Sequence, residues 1–422
     1  MIPLEQYDYR GKSVLLRVDI NSPIDPESKR IVNDNRIVKS LPTIAWLLDH
    51  GARLAIIAHQ GDSLDYQNLI PLQEHAERLS AGLGRTVRYV DDVCGPGARS
   101  AIQALAPGEA VLLGNLRYLA EEMSAFEKEV KLAPAAMLQT WLVRSLAPLF
   151  DYYVNDAFAA AHRSSPSMVA FQQILPTAAG RLLYEEYAAL SRVLKGAARP
   201  AVFVLGGAKI SDAFGMMQQV LQNGTADRIL TAGLTGQVML LASGRRLGKA
   251  NEQYLTDKDL MVFVEPARQY LSDFPGRIEM PSDLAWLADD QRQEGPIDVL
   301  PLDQSLIMDI GQATCERYDA ILQKAGSIFV NGPAGVYEDE RFADGTRQLW
   351  RSIARSPAYS VIGGGDTVSA AGKMIDLEQI SYVCTAGGAM VRFLSGKKLP
   401  LVAAMEDAWQ RDHLTEKSPQ GG

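Results

Sequence analysis

The sequence predicts a mixed α/β protein with two doubly wound domains built on parallel sheets. Three observations carry this. Short apolar, β-branched runs recur along the 422 residues and are apolar on both faces, as strands covered by helices must be. Longer amphipathic or alanine-rich stretches separate them, which is the strand–helix alternation of parallel sheets. Most of the apolar runs end in polar or glycine clusters, where ligands sit in such folds.

In chain order, Ser13–Val18, Arg53–Ala58, Ala110–Leu113 and Tyr152–Val154 read as strands of the first half. Ala201–Leu205, Arg228–Leu230, Ser327–Val330, Ser360–Ile362 and Ile380–Val383 read as strands of the second. Helical spacing fits Pro42–His50, Leu72–Gly82, Leu182–Leu194 and Ser211–Gln222. The stretch from Leu182 to Lys195 is long, helical and central. It reads as the connection between domains spanning 1–181 and 182–399.

Bulk properties exclude several classes. A hydrophobic fraction of 47% fits a globular chain. No apolar run reaches the length of a membrane span, and Met1–Arg10 has no signal-peptide pattern, so a cytoplasmic protein is expected. The formal net charge of -8 argues against nucleic acid or an anionic membrane as partner, since both reward a basic face. Cys94, Cys315 and Cys384 are too scattered for a disulfide framework or a zinc site and read as buried thiols.

The polar clusters fall into two chemical sets. In the first half, Arg36, Arg117 and Arg163 with His59 and His162 lie near strand ends. Arginine forks match carboxylate and phosphate oxygens, so the set reads as an anion basket, with Asp19 and Asn21 able to meet a substrate hydroxyl. One arginine alone is more often a surface ion pair. In the second half, Gly206-Gly207-Ala208-Lys209 follows a strand and precedes a helix, which aims backbone N–H groups at an anion and adds one mobile cation. Gly363-Gly364-Gly365-Asp366-Thr367 lets backbone approach a ligand closely and offers a carboxylate to Mg²⁺. Asn331 can bond a phosphate and Glu338 a ribose. The stretch from Gly244 to Ala250 imitates a phosphate loop, but its glycines are one residue too close and Ala250 stands where a hydroxyl belongs. It reads as a basic surface turn. No dinucleotide fingerprint follows any strand, which disfavours hydride transfer.

These segments, in this order, resemble the phosphoglycerate kinase family from about Tyr9 to about Ala404. The matching stretches are Arg17–Pro23, Asn155–Phe158 with Ala161-His162-Arg163, Gly206–Lys209, Val330–Glu338 and Gly363–Thr367. Asp156–Arg163 and the compact length look closer to the archaeal-type branch. The resemblance implies two Rossmann-like domains joined by a hinge helix, with the segment from about 400 to 422 packing back on the first. It implies reversible phosphoryl transfer between 1,3-bisphosphoglycerate with ADP and 3-phosphoglycerate with ATP, using Mg²⁺, in glycolysis and gluconeogenesis. Carried over by motif, Asp19, Asn21, Arg36, His59, Arg117 and Arg163 would hold phosphoglycerate, and Arg36 would also steady the transferring group. Gly206, Gly207, Lys209, Asn331, Glu338, Gly363, Gly364, Gly365 and Thr367 would hold the nucleotide, and Asp366 the metal. Arg36 and Lys209 are the expected catalytic pair. Closure of the two domains would bring the anions into line. Small-molecule substrates and a monomer or homodimer are expected.

The chain departs from the family pattern at several positions. Asp62, in His59-Gln60-Gly61-Asp62-Ser63, stands where an arginine usually grips substrate. Gly114 replaces a common Glu, and Ala213 a second phosphate lysine. Ala232 and Leu234 interrupt a glycine-rich strand end, and Cys384 and Ala386 alter a Ser-Thr-triple-Gly segment. Two other readings therefore stay open: a kinase of another small carboxylate, favoured by Asp62, and a non-catalytic nucleotide-binding relative, favoured by Ala232 and Ala386.

Overall fold

The computed structural model describes residues 1–62 and 65–416, with the side chains of 413–416 excepted. Ser63, Leu64 and the segment 417–422 lie outside the described residues. The chain divides into two compact units, Met1–Tyr187 with the segment from Lys398, and Ala188–Lys397. The division falls within the helix Arg181–Lys195.

The first unit is built on a parallel sheet of β1 (Ser13–Arg17), β2 (Arg53–Ile57), β3 (Val87–Tyr89), β4 (Ala110–Leu112), β5 (Tyr152–Asn155) and β6 (Thr177–Ala179). Their order is β3-β4-β2-β1-β5-β6. The inner strands are buried on both faces, and Leu16, Ile56 and Leu112 pack with Ile44 and Leu47 of the flanking helix Asn35–Asp49. The chain reverses its direction of winding at β1, which has β2 on one side and β5 on the other. Ligands in open α/β sheets collect beyond strand ends at such a switch point. The helix Pro400–Glu416 returns to this unit, where Leu401 donates its N–H to the Ala161 carbonyl at 3.2 Å.

The second unit repeats the plan. Strands β7 (Ala201–Leu205), β8 (Arg228–Thr231), β9 (Ile278–Glu279), β13 (Ser327–Asn331), β14 (Tyr359–Gly363) and β15 (Tyr382–Cys384) form a parallel sheet in the order β15-β14-β13-β7-β8-β9. Its switch point lies between β7 and β13. Between β9 and β13 the chain adds a small antiparallel sheet of β10 (Asp283–Ala288), β11 (Gln291–Pro296) and β12 (Ile307–Ile310).

One element was not expected, and two expectations need correction. The antiparallel sheet escapes a sequence reading because β11 is Gln-Arg-Gln-Glu-Gly-Pro, an exposed edge with no apolar alternation. Its signal is the turn, where Asp289 and Asp290 both hold positive φ, 49° and 58°, as a two-residue hairpin of the right twist requires. The helix expected to start at Pro42 starts at Asn35. Proline inside a helix forfeits one backbone bond, and here the burial of Ile37, Ile44, Leu47 and Leu48 outweighs it. The last strand begins at Tyr382 rather than Ile380, because a 3₁₀ turn at Leu377–Gln379 runs up to it. The three cysteines are buried free thiols.

Candidate active site

In the first unit the strand ends carry a connected cluster of charge. Arg17, the last residue of β1, is only 2% exposed. Its Nη2 lies 2.8 Å from Nδ1 of His59, which follows β2. A guanidinium can only donate, so Nδ1 accepts and the imidazole proton sits on Nε2. Burial, then the charges of Arg17, Arg117, Arg36 and Arg163, hold the His59 pKa well below its usual 6.5. His59 is therefore a neutral donor in a nest of cations.

The other members join it by short links. Arg36 Nη1 pairs with Asp19 Oδ2 at 3.0 Å, Asp19 Oδ1 accepts from the Asn21 N–H at 3.1 Å, and Asn21 Oδ1 accepts from the Gly61 N–H at 3.1 Å. Asp62 stands inside the cluster. Its Oδ2 lies 3.6 Å from Arg117 Nη2 and accepts from the Ser124 hydroxyl. That hydroxyl in turn accepts from Arg163 Nη1 at 2.7 Å. One carboxylate thus occupies Arg117 directly and Arg163 through a serine. The structure brings Asp19, Asn21, Arg36, His59, Arg117 and Arg163 together at one edge of the first sheet.

Buried groups that the sequence reading did not single out hold these side chains. Asn115 donates to the carbonyls of Gln60 at 2.8 Å and Ile70 at 2.9 Å, and accepts from the Gln60 and Arg117 N–H groups at 3.1 Å each. Glu122 is 1% exposed and accepts from the N–H and hydroxyl of Ser167 at 2.6 Å each. Burial raises its pKa, while Ser167 and the charges of Arg17 and Arg117 oppose the rise. A charged residue closing an otherwise apolar strand, as Arg17 does, is the signal that could have found this layer.

The second unit holds a cavity of about 700 Å³ beyond the ends of β7 and β13. Four helices begin at its wall, at Ile210, Gly233, Gly365 and Gly387. Their N-terminal ends direct positive potential at it without side-chain charge, although at Gly233 and Leu234 the first N–H groups are taken by the Ala334 and Gly207 carbonyls at 2.8 and 3.3 Å. Close approach explains the glycines. Gly207 and Gly332 hold φ of 71° and 92°, and a Cβ on Gly206 would lie 2.3 Å from the Pro333 carbonyl oxygen. Lys209 Nζ and Asp366 Oδ2 pair at 3.1 Å, each side chain 68% exposed and free to turn to a ligand.

Asn331, Glu338, Gly364, Gly365, Asp366 and Thr367 line the same cavity as Gly206, Gly207 and Lys209. Thr367 Oγ1 accepts from the Gly332 N–H at 2.8 Å, and Asn331 Nδ2 donates to the Gly363 carbonyl at 3.0 Å. Gly363 itself does not line the cavity. It is buried, and a Cβ there would strike Met390. Ala213 is fully buried, so that position presents no side chain to solvent. Gly248, in the Gly244–Ala250 stretch, packs against Leu302, and Arg245 and Arg246 pair at the surface with Asp298 and Glu252.

One pocket of side-chain cations and one of helix N-termini, each at the switch point of a doubly wound sheet, define a two-unit phosphotransferase of the α/β class. Comparison with known proteins agrees. The phosphoglycerate kinase family description matches residues 4–397. A phosphoglycerate kinase of Thermococcus kodakarensis is 43% identical over 97% of this chain and 98% of its own. That of Methanothermobacter thermautotrophicus is 40% identical over 96% of each. Among solved structures, phosphoglycerate kinase from Pyrococcus horikoshii OT3 superposes with a TM-score of 0.86 at 39% identity, covering 97% of this chain and all of that one. The enzyme from Coxiella burnetii gives 0.81 at 32% identity, over 96% and 99%. The chain belongs to the phosphoglycerate kinase family. Among the described residues, no helix is long and apolar enough to cross a membrane, and no group of three or more His, Cys, Asp or Glu is placed to hold a metal ion.

Proposed function

We propose that this chain transfers a phosphoryl group reversibly between 1,3-bisphosphoglycerate with ADP and 3-phosphoglycerate with ATP. The observation that carries the reading is the cluster of Arg36, Arg117 and Arg163 around a neutral, Nε2-protonated His59. It suits a small substrate with a phosphate at one end and a carboxyl at the other. The arginines neutralise the oxygens, His59 donates to one of them, and Asp19 and Asn21 meet the hydroxyl. Arg36, tied at present to Asp19, turns to the group in flight.

Lys209 and the surrounding N–H groups hold the nucleotide phosphates, and Glu338 the ribose. Asp366 is the carboxylate for Mg²⁺, which prefers one or two such ligands completed by phosphate oxygens and water. The exposed Asp366 fits that need. When bound, the ion neutralises phosphate charge. Transfer of this kind needs positioning and charge neutralisation rather than covalent chemistry, so both pockets must be filled together. We assign 1–181 with the segment from 400 to the phosphoglycerate domain, and 182–399 to the nucleotide domain. The residues assigned to each site come from one chain, so a monomer or a homodimer is the proposed form. The cytoplasm is its proposed location, since its charged substrates are confined there.

A coupled assay with 3-phosphoglycerate, ATP and Mg²⁺ tests this. Turnover is expected, lost in EDTA, and lowered about 10³-fold by Arg36→Ala. Turnover on another small carboxylate but not on this one would instead favour a diverged kinase, the reading that Asp62 supports.

A further inference from the structure

Beneath the cation cluster, the first unit holds a buried imidazole that the reaction so far leaves unused. His75 lies in the helix Gln73–Leu83 and has no solvent exposure. The other buried residues of that helix are Ala76 and Leu79. Burial pushes the His75 pKa from 6.5 down to about 4, so the ring is neutral near pH 7. Its Nδ1 is sealed, with no hydrogen-bond partner among the described residues. An apolar side chain would avoid that orphaned acceptor, so the reason for an imidazole here lies with the other nitrogen.

That nitrogen, Nε2, is 3.1 Å from Oε1 of Gln60, which is also fully buried. The sense of the bond is fixed. Gln60 Nε2 donates to the carbonyls of Ser22 at 3.0 Å and Asn68 at 3.3 Å, while Oε1 accepts from the Ser22 N–H at 2.8 Å. Turning the amide over would break all three bonds. His75 Nε2 therefore donates, and it fills the second lone pair of Oε1. With Asn115 on the Gln60 main chain, every polar atom of Gln60 is engaged.

Gln60 ties together the two loops that meet substrate. On its own loop it stands between His59 and Gly61. Through Ser22 it holds the residue after Asn21, on the loop beyond β1. Gly61 joins the same knot. Its N–H donates to Asn21 Oδ1 at 3.1 Å, and at φ 70° it lies so close to Asn68 that a Cβ would sit 2.5 Å from that carbonyl oxygen. We propose that His75 is a positioning residue for the acid substrate: through Gln60 it fixes the loop carrying His59 against the loop carrying Asp19 and Asn21. A misplacement of about 1 Å in such a site costs up to about 10²-fold. The inference rests on the assignment of 3-phosphoglycerate to this cluster.

The test compares initial rates of the wild type with His75→Leu, which removes the donor, and His75→Gln, which keeps an N–H at a similar reach. His75→Leu is expected to raise the Michaelis constant for 3-phosphoglycerate at least about 10-fold and to leave that for ATP within about 2-fold. His75→Gln is expected to return the first constant to within about 3-fold of the wild type. Leu79→Ala, one turn along the same helix, should lower stability in denaturant and leave both constants within about 2-fold. Should His75→Leu fail to fold, Gln60→Met removes the tie itself and is expected to raise the same constant at least about 10-fold. A 3-phosphoglycerate constant unchanged in these variants would overturn the proposal. So would His75→Gln behaving as His75→Leu does, or Leu79→Ala raising that constant as much. Absence of wild-type turnover on 3-phosphoglycerate would remove the substrate assignment, and this inference with it.

Discussion

Asp62 places a negative charge in a pocket that has to attract one, and Asp62→Asn should show its cost. Asp62 Oδ2 lies 3.6 Å from Arg117 Nη2, with side-chain exposures of 16% and 5%. At an effective dielectric of about 20, a pair at that distance attracts by about 5 kcal/mol. An incoming phosphate must take Arg117, and through Ser124 also Arg163, from this carboxylate. Much of the attraction is regained in the new pair, so the expected net effect is about 1–2 kcal/mol, or about 5–30-fold. Asparagine keeps an acceptor for the Ser124 hydroxyl and removes only the charge. The Michaelis constant for 3-phosphoglycerate, taken from initial rates at saturating ATP and Mg²⁺, should fall by that factor, with kcat changed less than about 3-fold. An unchanged constant would mean that substrate never displaces Asp62. A higher one would mean that Asp62 serves to hold Arg117 in position, which refutes the competition.

Two further outcomes follow from particular contacts. Asp156 is fully buried, with Oδ1 accepting from the Leu183 N–H at 3.0 Å in the first turn of the helix Arg181–Lys195. Burial pushes its pKa from 3.8 up to about 7. The folded state therefore keeps this proton longer than the unfolded state. The stabilisation is complete below about pH 4 and is lost as pH rises through about 7, by up to about 4 kcal/mol. Denaturant unfolding of Asp156→Asn should show a flatter fall over that window than the wild type, and parallel profiles would contradict this. Gly364 holds φ of 97°, and a Cβ there would lie 3.0 Å from Asn331 Nδ2 and 3.2 Å from Thr367 Oγ1. Gly364→Ala should cost about 1–3 kcal/mol of strain and raise the Michaelis constant for ATP at least about 10-fold. The constant for 3-phosphoglycerate should stay within about 2-fold. An ATP constant that does not move would show that Gly364 does not shape the phosphate cradle.

What the sequence discloses here, and what it hides, follows from the range of each interaction. The parallel strands are legible because burial on both faces leaves runs such as Ala-Val-Phe-Val-Leu at 201–205, which the structure keeps as β7. Strand ends then locate Asp19, His59, Lys209 and Asn331 by one rule of topology. The supporting layer is not legible. Glu122 meets Ser167, and Asn115 meets Gln60, across 45 and 55 residues of chain, and no local pattern marks such pairs. The role of Asp62 depends equally on distant partners, Arg117 and Ser124. The antiparallel sheet is hidden for another reason, since an exposed edge strand needs no apolar alternation to form.

The division of labour between the two units is tested most directly by crossed calorimetry on single variants. Arg36→Ala should lose 3-phosphoglycerate binding by at least about 10-fold and bind ADP as the wild type does, while Lys209→Ala should do the reverse. If Arg36→Ala weakened ADP, or Lys209→Ala weakened 3-phosphoglycerate, by as much as its own ligand, the assignment of one anion to each unit would be wrong.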